Sequence, residues 1–188
     1  MINKISKLVS GIFTLSSLSF ASNAITFEGN PLTLEGTKVI VGQQAPNFKL
    51  TKNDLTDLNL SDFKGKNVLV STIVSIDTPV CDIQTKKFNE EAAKLKDTVV
   101  LTVSTDSPFA LGRYCAAEGI KNTITASDYK TREFSKNYGI WIKELALSSR
   151  GIFIIDKNGK IAYTEYLKEI TNEPDYNKAL KVLTKLSK

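Results

Sequence analysis

Asn67-Val68-Leu69-Val70-Ser71-Thr72-Ile73-Val74 is a near-continuous apolar run rather than an alternating one. Such a run predicts a strand covered on both faces. Residues 98–104 and Gly151-Ile152-Phe153-Ile154-Ile155 predict further strands. Asp156-Lys157-Asn158-Gly159 reads as a hairpin turn into a partner strand over 160–167. Between the strands the apolar period lengthens to that of a helix. Phe88, Ala92 and Leu95 form one stripe over 79–96, with Glu90 four residues before Lys94. Ser107 and Pro108 open a second helix, which Gly119 ends. Residues 129–138 predict a short helix. Residues 174–186 predict a closing amphipathic one, with Tyr176, Leu180 and Leu183 or Leu186 along one side. Near the start, 25–41 reads as a hairpin in which Ile25/Phe27 and Leu32/Leu34 alternate. Its turns fall at Gly29-Asn30-Pro31 and Glu35-Gly36-Thr37. A turn over 42–47 leads into a short strand at 48–50, and 54–65 reads as a polar loop anchored by Leu58, Leu60 and Phe63. This order makes an α/β sandwich with a mixed sheet flanked by helices. With no repeats or long linkers, 25–188 reads as one domain.

The first 24 residues follow a different grammar. Lys4 and Lys7 are their only charges, and they precede a weakly apolar run over 8–20. Ala21-Ser22-Asn23-Ala24 then offers small residues where a signal peptidase reads, so 1–24 is expected to be a cleaved signal peptide and the mature protein periplasmic. The run is too short and too rich in Ser and Thr to anchor the chain in a bilayer. Removing 24 of 188 residues leaves 164, and the loss of two lysines and no acid takes the net charge from +5 to +3. No basic block with interleaved aromatics points to a nucleic acid partner.

Composition narrows the chemistry. The 188 residues are 41% hydrophobic and 24% charged, a folded globular balance. Histidine is absent, which excludes Ser-His-Asp and Cys-His catalytic units and imidazole-ligated metals. Two cysteines alone hold neither an iron–sulfur cluster nor a four-thiolate zinc, so no metal or cofactor is expected. Chemistry must come from Cys, Ser/Thr, Arg/Lys, Tyr or carboxylates.

The two cysteines sit in unequal settings. Thr78-Pro79-Val80-Cys81 follows the first buried strand. Thr is a good N-cap and Pro is favourable just after it, so Cys81 falls at the third helical position. A thiolate there gains from the positive end of the helix and from its unpaired N–H groups. Cys115 lies 34 residues further on, in the third turn of the helix that opens at Pro108, with nothing local to activate it. The pair fits either a structural disulfide, worth about 4 kcal/mol by loop closure, or an attacking and a resolving thiol. There is no Cys-x-x-Cys.

Ser75-Ile76-Asp77-Thr78-Pro79-Val80-Cys81 followed by Lys87-Phe88-Asn89-Glu90-Glu91-Ala92-Ala93 resembles the active-site stretch of the bacterial thiol peroxidases. These are atypical two-cysteine peroxiredoxins of thioredoxin-like fold. The likeness continues through Ser104-Thr105-Asp106-Ser107-Pro108-Phe109-Ala110, Tyr114-Cys115-Ala116-Ala117-Glu118-Gly119-Ile120, Tyr138-Gly139, Arg150 and Thr171-Asn172-Glu173-Pro174-Asp175-Tyr176. The early hairpin also matches the family's.

The resemblance implies that Cys81 is the peroxidatic and Cys115 the resolving cysteine, that the Thr78 hydroxyl contacts the peroxide, and that Arg150 is the active-site arginine. It implies reduction of hydrogen peroxide and organic hydroperoxides, a Cys81–Cys115 disulfide, recharging by thioredoxin or a thioredoxin-like protein, and a homodimer. The rival readings are a thiol–disulfide exchange protein and a binding module stapled by a structural disulfide. The sequence departs from the family at Val74, where peroxiredoxins carry a proline. Its export signal also departs from the cytoplasmic habit of the family, and residues 141–149 form a shorter, more charged stretch than the family's.

Overall fold

The computed structural model describes residues 24–187. Of the expected signal peptide, all but Ala24 lies outside the described residues. The main sheet contains β3 (Lys49–Lys52), β4 (Asp57–Asn59), β5 (Asn67–Thr72), β6 (Thr98–Ser104), β7 (Ile124–Ser127), β10 (Gly151–Ile155) and β11 (Ile161–Tyr166). Their spatial order is β11-β10-β5-β6-β7-β3-β4. β5, β6 and β7 run parallel, with Val70 opposite Leu101 and Val103 opposite Ala126. β10 lies antiparallel to β5, and β11 closes that edge. A smaller antiparallel sheet joins β1 (Ala24–Phe27), β2 (Asn30–Glu35), β8 (Trp141–Ile142) and β9 (Leu147–Ser148). The helices are α1 (Pro79–Ala92), α2 (Pro108–Glu118), α3 (Glu133–Asn137) and α4 (Tyr176–Leu186).

The apolar runs divide between two faces, because successive strand residues point opposite ways. Leu69, Val100, Ile152 and Ile154 meet Phe88 of α1 and Ala179 and Leu183 of α4. Val68, Val70, Leu101, Val103, Phe153 and Ile155 turn to the other face, against Phe48, Phe134, Tyr138 and Ile140. A third cluster lies beyond the carboxyl ends of β5 and β6, where open parallel sheets place their sites. It joins Ile73, Val74, Ile76 and Cys81 to Leu111 of α2 and to Ile25 and Leu34 of the hairpin. The mixed sheet, flanking helices and amino-terminal hairpin form the thioredoxin-like, peroxiredoxin-type sandwich that the resemblance implies.

Several boundaries differ from the sequence reading. The hairpin turn is Glu28-Gly29, not Gly29-Asn30-Pro31: Phe27 pairs with Asn30, and φ is 50° at Glu28 and 80° at Gly29. Two successive left-handed residues are the mark of a two-residue hairpin loop. Pro31 is tolerated inside β2 because β8 pairs only with Leu34 and Glu35. The segment 54–65 is not all loop. It holds β4, paired to β3 through Leu50 and Leu58, and a 3-10 turn at Leu60–Phe63. α1 stops at Ala92, and Lys94 pairs with Glu91 rather than Glu90. α3 is shorter than 129–138 because Arg132 is left-handed at φ 58°. The buried Asp128 carboxylate accepts from the Phe134 and Ser135 N–H groups at the start of α3. α4 starts at Tyr176, capped by Asp175, whose carboxylate accepts from the Lys178 N–H. β7, β8 and β9 had no counterpart in the sequence reading. The charged 141–149 stretch becomes the β8–β9 hairpin that closes over β2.

Candidate active site

α1 begins one loop after β5, with Thr78 as N-cap, Pro79 first and Cys81 third, as expected. The Cys81 and Asp82 N–H groups both donate to the Thr78 carbonyl at 3.1 Å. The Thr78 hydroxyl does not cap the helix. It donates to the Ser75 carbonyl at 3.2 Å. The loop ahead of it is held by Asp106, whose carboxylate accepts from Ser75 Oγ (2.8 Å), the Ile76 N–H (3.0 Å) and Ser104 Oγ (2.8 Å). In the sequence Asp106 stands out only as a member of the stretch 104–110 that carries the family resemblance.

Cys81 has no exposed surface, and its Sγ lies 3.1 Å from Arg150 Nη2. Arg150 emerges between β9 and β10 and is itself only 2% exposed. Gly151, next along, lets the chain pass close to β11, since a Cβ there would lie 2.9 Å from the Glu165 carbonyl oxygen. Arg150 Nε donates to the Ile170 carbonyl at 2.9 Å, and Nη1 donates to Gln84 Oε1. Gln84 Nε2 donates in turn to Ser71 Oγ at 2.7 Å and to the Thr72 carbonyl at 3.2 Å. The guanidinium is thus locked on three edges, and its partners are two neutral oxygens and the Cys81 sulfur. Sequence reasoning missed Gln84. Its signal was a polar residue three after Cys81, on the face of α1 that also buries Thr85 and Phe88.

Thr78 and Arg150 share a pocket of about 250 Å³. Phe27, Val74, Pro79, Val80 and Ile170 give it apolar walls. Val74, in the place of the family proline, therefore supplies pocket wall. Phe27 and Glu28 come from the hairpin tip, so the small sheet completes the mouth of the site.

Cys115 is not part of this pocket. Its Sγ lies 3.1 Å from Thr125 Oγ1, which is bonded to Asn53, and it lines a separate cleft with those residues. The two thiols are free, Cys81 buried and Cys115 half-buried. α1 and α2 are clasped instead by polar groups. Tyr114 Oη donates to Asp82 at 2.9 Å, and Lys86 bridges Asp82 (3.0 Å) and Glu118 (2.6 Å). Burial and the bond to Asp82 push the Tyr114 phenol above its ordinary pKa. The structure therefore brings together Thr78, Cys81 and Arg150, and holds Cys115 apart. Among the described residues, no group of three or more His, Cys, Asp or Glu is placed to hold a metal ion. None of the described helices is long and apolar enough to cross a membrane.

A cysteine in the first turn of a helix on a thioredoxin-like sheet, touching an arginine, has the electropositive setting that thiol-based redox proteins use. Comparison with known proteins narrows the class. The family described as Redoxin matches residues 40–180. The chain is 49% identical over 151 residues to the thiol peroxidase of Bacillus subtilis, spanning 80% of this chain and 90% of that one. It is 52% identical over 143 residues to the thiol peroxidase of Halalkalibacterium halodurans, spanning 76% and 86%. Among solved structures, a peroxiredoxin-like protein from Aquifex aeolicus superposes with a TM-score of 0.83 at 38% identity, covering 87% of this chain and 97% of that one. The chain belongs to the redoxin family, and within it to the bacterial thiol peroxidases, the atypical two-cysteine peroxiredoxins of thioredoxin fold.

Proposed function

We propose that the protein reduces hydrogen peroxide and organic hydroperoxides through a sulfenic acid on Cys81 and an intramolecular Cys81–Cys115 disulfide. The observation that carries this reading is the 3.1 Å contact between Arg150 Nη2 and Cys81 Sγ inside a buried, hydrogen-bonded frame. A guanidinium held there stabilises negative sulfur and faces the oxygens of a bound peroxide. The Thr78 hydroxyl, in the same pocket, positions the peroxide. Attack by the Cys81 thiolate on one peroxide oxygen breaks the O–O bond, leaves Cys81 as sulfenic acid, and releases the other oxygen as water or an alcohol after protonation. The Cys115 thiol then condenses with the sulfenic acid, forming the disulfide and releasing one water.

The second step needs a rearrangement, since Cys115 faces Thr125 and Asn53. Partial unwinding of 108–118, or of the start of α1, releases it. A reductant with its own dithiol then restores both thiols, a thioredoxin-like protein. Export to the periplasm requires that this reductant receive electrons across the inner membrane. A homodimer is the assembly that the family resemblance implies. The test is peroxide consumption by the purified protein with a thioredoxin-like reductant. Turnover that saturates in the reductant and requires Cys81 is expected. Disulfide exchange with protein thiols and no peroxide consumption would overturn the reading.

A further inference from the structure

The loop after β11 carries a carboxylate that the chemistry above does not use. Glu169 accepts five hydrogen bonds: from Thr26 Oγ1 at 2.8 Å, the Glu28 and Gly29 N–H groups at 3.2 Å each, the Thr171 N–H at 3.0 Å and Thr171 Oγ1 at 2.8 Å. Two donors lie at the left-handed tip of the β1–β2 hairpin, where consecutive N–H groups converge on an anion. Two others belong to the same loop as Glu169. The carboxylate therefore ties together segments more than 140 residues apart in the chain. Burial opposes its charge, but the bonds from Thr171, Thr26 and Gly29 outweigh that and hold Glu169 down to about 2.

What it ties is the frame of the site. The backbone continues the lock: the Thr26 N–H donates to the Lys168 carbonyl at 2.6 Å, and the Ile170 N–H donates to the Thr26 carbonyl at 3.0 Å. The Ile170 carbonyl is the acceptor for Arg150 Nε. On the hairpin side, Phe27 and Glu28 form the pocket wall facing Thr78 and Arg150. One carboxylate thus fixes the pocket mouth and, through one peptide, the third edge of the arginine that touches Cys81.

We propose that Glu169 is a positioning residue for peroxide reduction, fastening the β1–β2 hairpin to the 168–171 loop so that Ile170 holds Arg150 in register with Cys81. This rests on the peroxidase reading. Without the latch the Ile170 carbonyl moves, and Arg150 keeps its charge but loses its aim. Misplacement by about 1 Å is enough to cost up to about 100-fold in a positioned reaction.

The test separates aim from folding. Glu169→Gln turns one acceptor into a donor facing other donors. Thr171→Val removes a single donor and leaves the carboxylate in place. For each protein, first-turnover rate constants with cumene hydroperoxide are compared with alkylation of Cys81 by iodoacetamide, which needs the thiolate but no polarised O–O bond. Thermal midpoints are recorded alongside. Glu169→Gln is expected to slow peroxide reduction about 10- to 100-fold and alkylation by a much smaller factor, since Arg150 also stabilises the thiolate. Thr171→Val is expected to show a smaller loss of the same kind. Peroxide and alkylation rates that fall by the same factor along with the thermal midpoint, or a peroxide rate unchanged in both variants, would overturn the proposal while leaving the peroxidase reading intact. A wild-type protein that alkylates normally but does not reduce peroxide would overturn both.

Discussion

Arg150→Met isolates the electrostatic part of the mechanism. The substitution keeps an unbranched side chain in a nearly sealed site and removes three donors, to Cys81 Sγ, Gln84 Oε1 and the Ile170 carbonyl. A thiol of ordinary pKa is about 3% thiolate at pH 7, so the whole gain from ionising such a thiol has a ceiling of about 30-fold. A lower-pKa thiolate is also a weaker nucleophile, which makes that ceiling generous. Withdrawing a donor aimed at developing charge costs a further 10²–10³-fold or so in enzymes of other kinds. The expected loss in the peroxide rate constant is therefore about 10³–10⁴-fold, well past the ionisation ceiling. Two buried oxygens also lose their donor, so stability should fall by about 1–3 kcal/mol for each. Stopped-flow measurement of the first turnover gives the peroxide constant. Alkylation of Cys81 across a pH series gives the thiolate fraction in the same samples. If the fall in thiolate fraction accounts for the whole loss of rate, polarisation of the O–O bond by Arg150 is refuted.

Gln84→Leu should strip Arg150 Nη1 and Ser71 Oγ of their shared partner, lowering stability by about 1–3 kcal/mol and the peroxide rate by more than the remaining folded fraction explains; urea titration beside stopped flow decides, and an unchanged rate would remove Gln84 from the site. Acid should weaken the fold through Glu169, whose pKa of about 2 in the folded chain lies below the ordinary 4.5. Its contribution is complete above about 4.5 and fades as pH falls toward 2. Urea midpoints from pH 6 to 2 should thus fall more steeply for wild type than for Glu169→Gln, and parallel curves would contradict the latch. Native protein should start at or within a few residues of Ile25 and fractionate with the periplasm; a native terminus at Met1 in the cytoplasmic fraction would refute export while leaving the peroxidase assignment untouched.

The legible parts of the sequence were those fixed by local rules. The strands β5, β6 and β10 stood out because they are buried on both faces, and the caps at Thr78 and Ser107 placed α1 and α2 correctly, with Cys81 third in its helix. What stayed hidden was set by distant partners. β7 is four residues, ITAS, with too little apolar pattern to announce itself, and it is a strand because β6 and β3 pair with it. β4 owes its place to Leu58 facing Leu50. Within the site, local rules singled out Cys81 and family resemblance supplied Thr78 and Arg150. Gln84 and Glu169 act through partners scores of residues away, so neither composition nor spacing marked them. The direction in which Cys115 points was equally invisible. Helical phase turns Leu111 and Tyr114 toward α1 and Cys115 toward Thr125, and only the packing of α2 decides which side meets Cys81.

In the proposed cycle Cys81 attacks peroxide and Cys115 resolves the product. Mass spectrometry after one equivalent of cumene hydroperoxide tests it most directly, on the reduced mature protein and on Cys115→Ser and Cys81→Ser. Wild type is expected to lose about 2 Da and both free thiols, while Cys115→Ser gains about 16 Da on Cys81 as the trapped sulfenic acid. Cys81→Ser should leave the peroxide unconsumed. An oxygen found on Cys115, or equal oxidation of the two single variants, would contradict it.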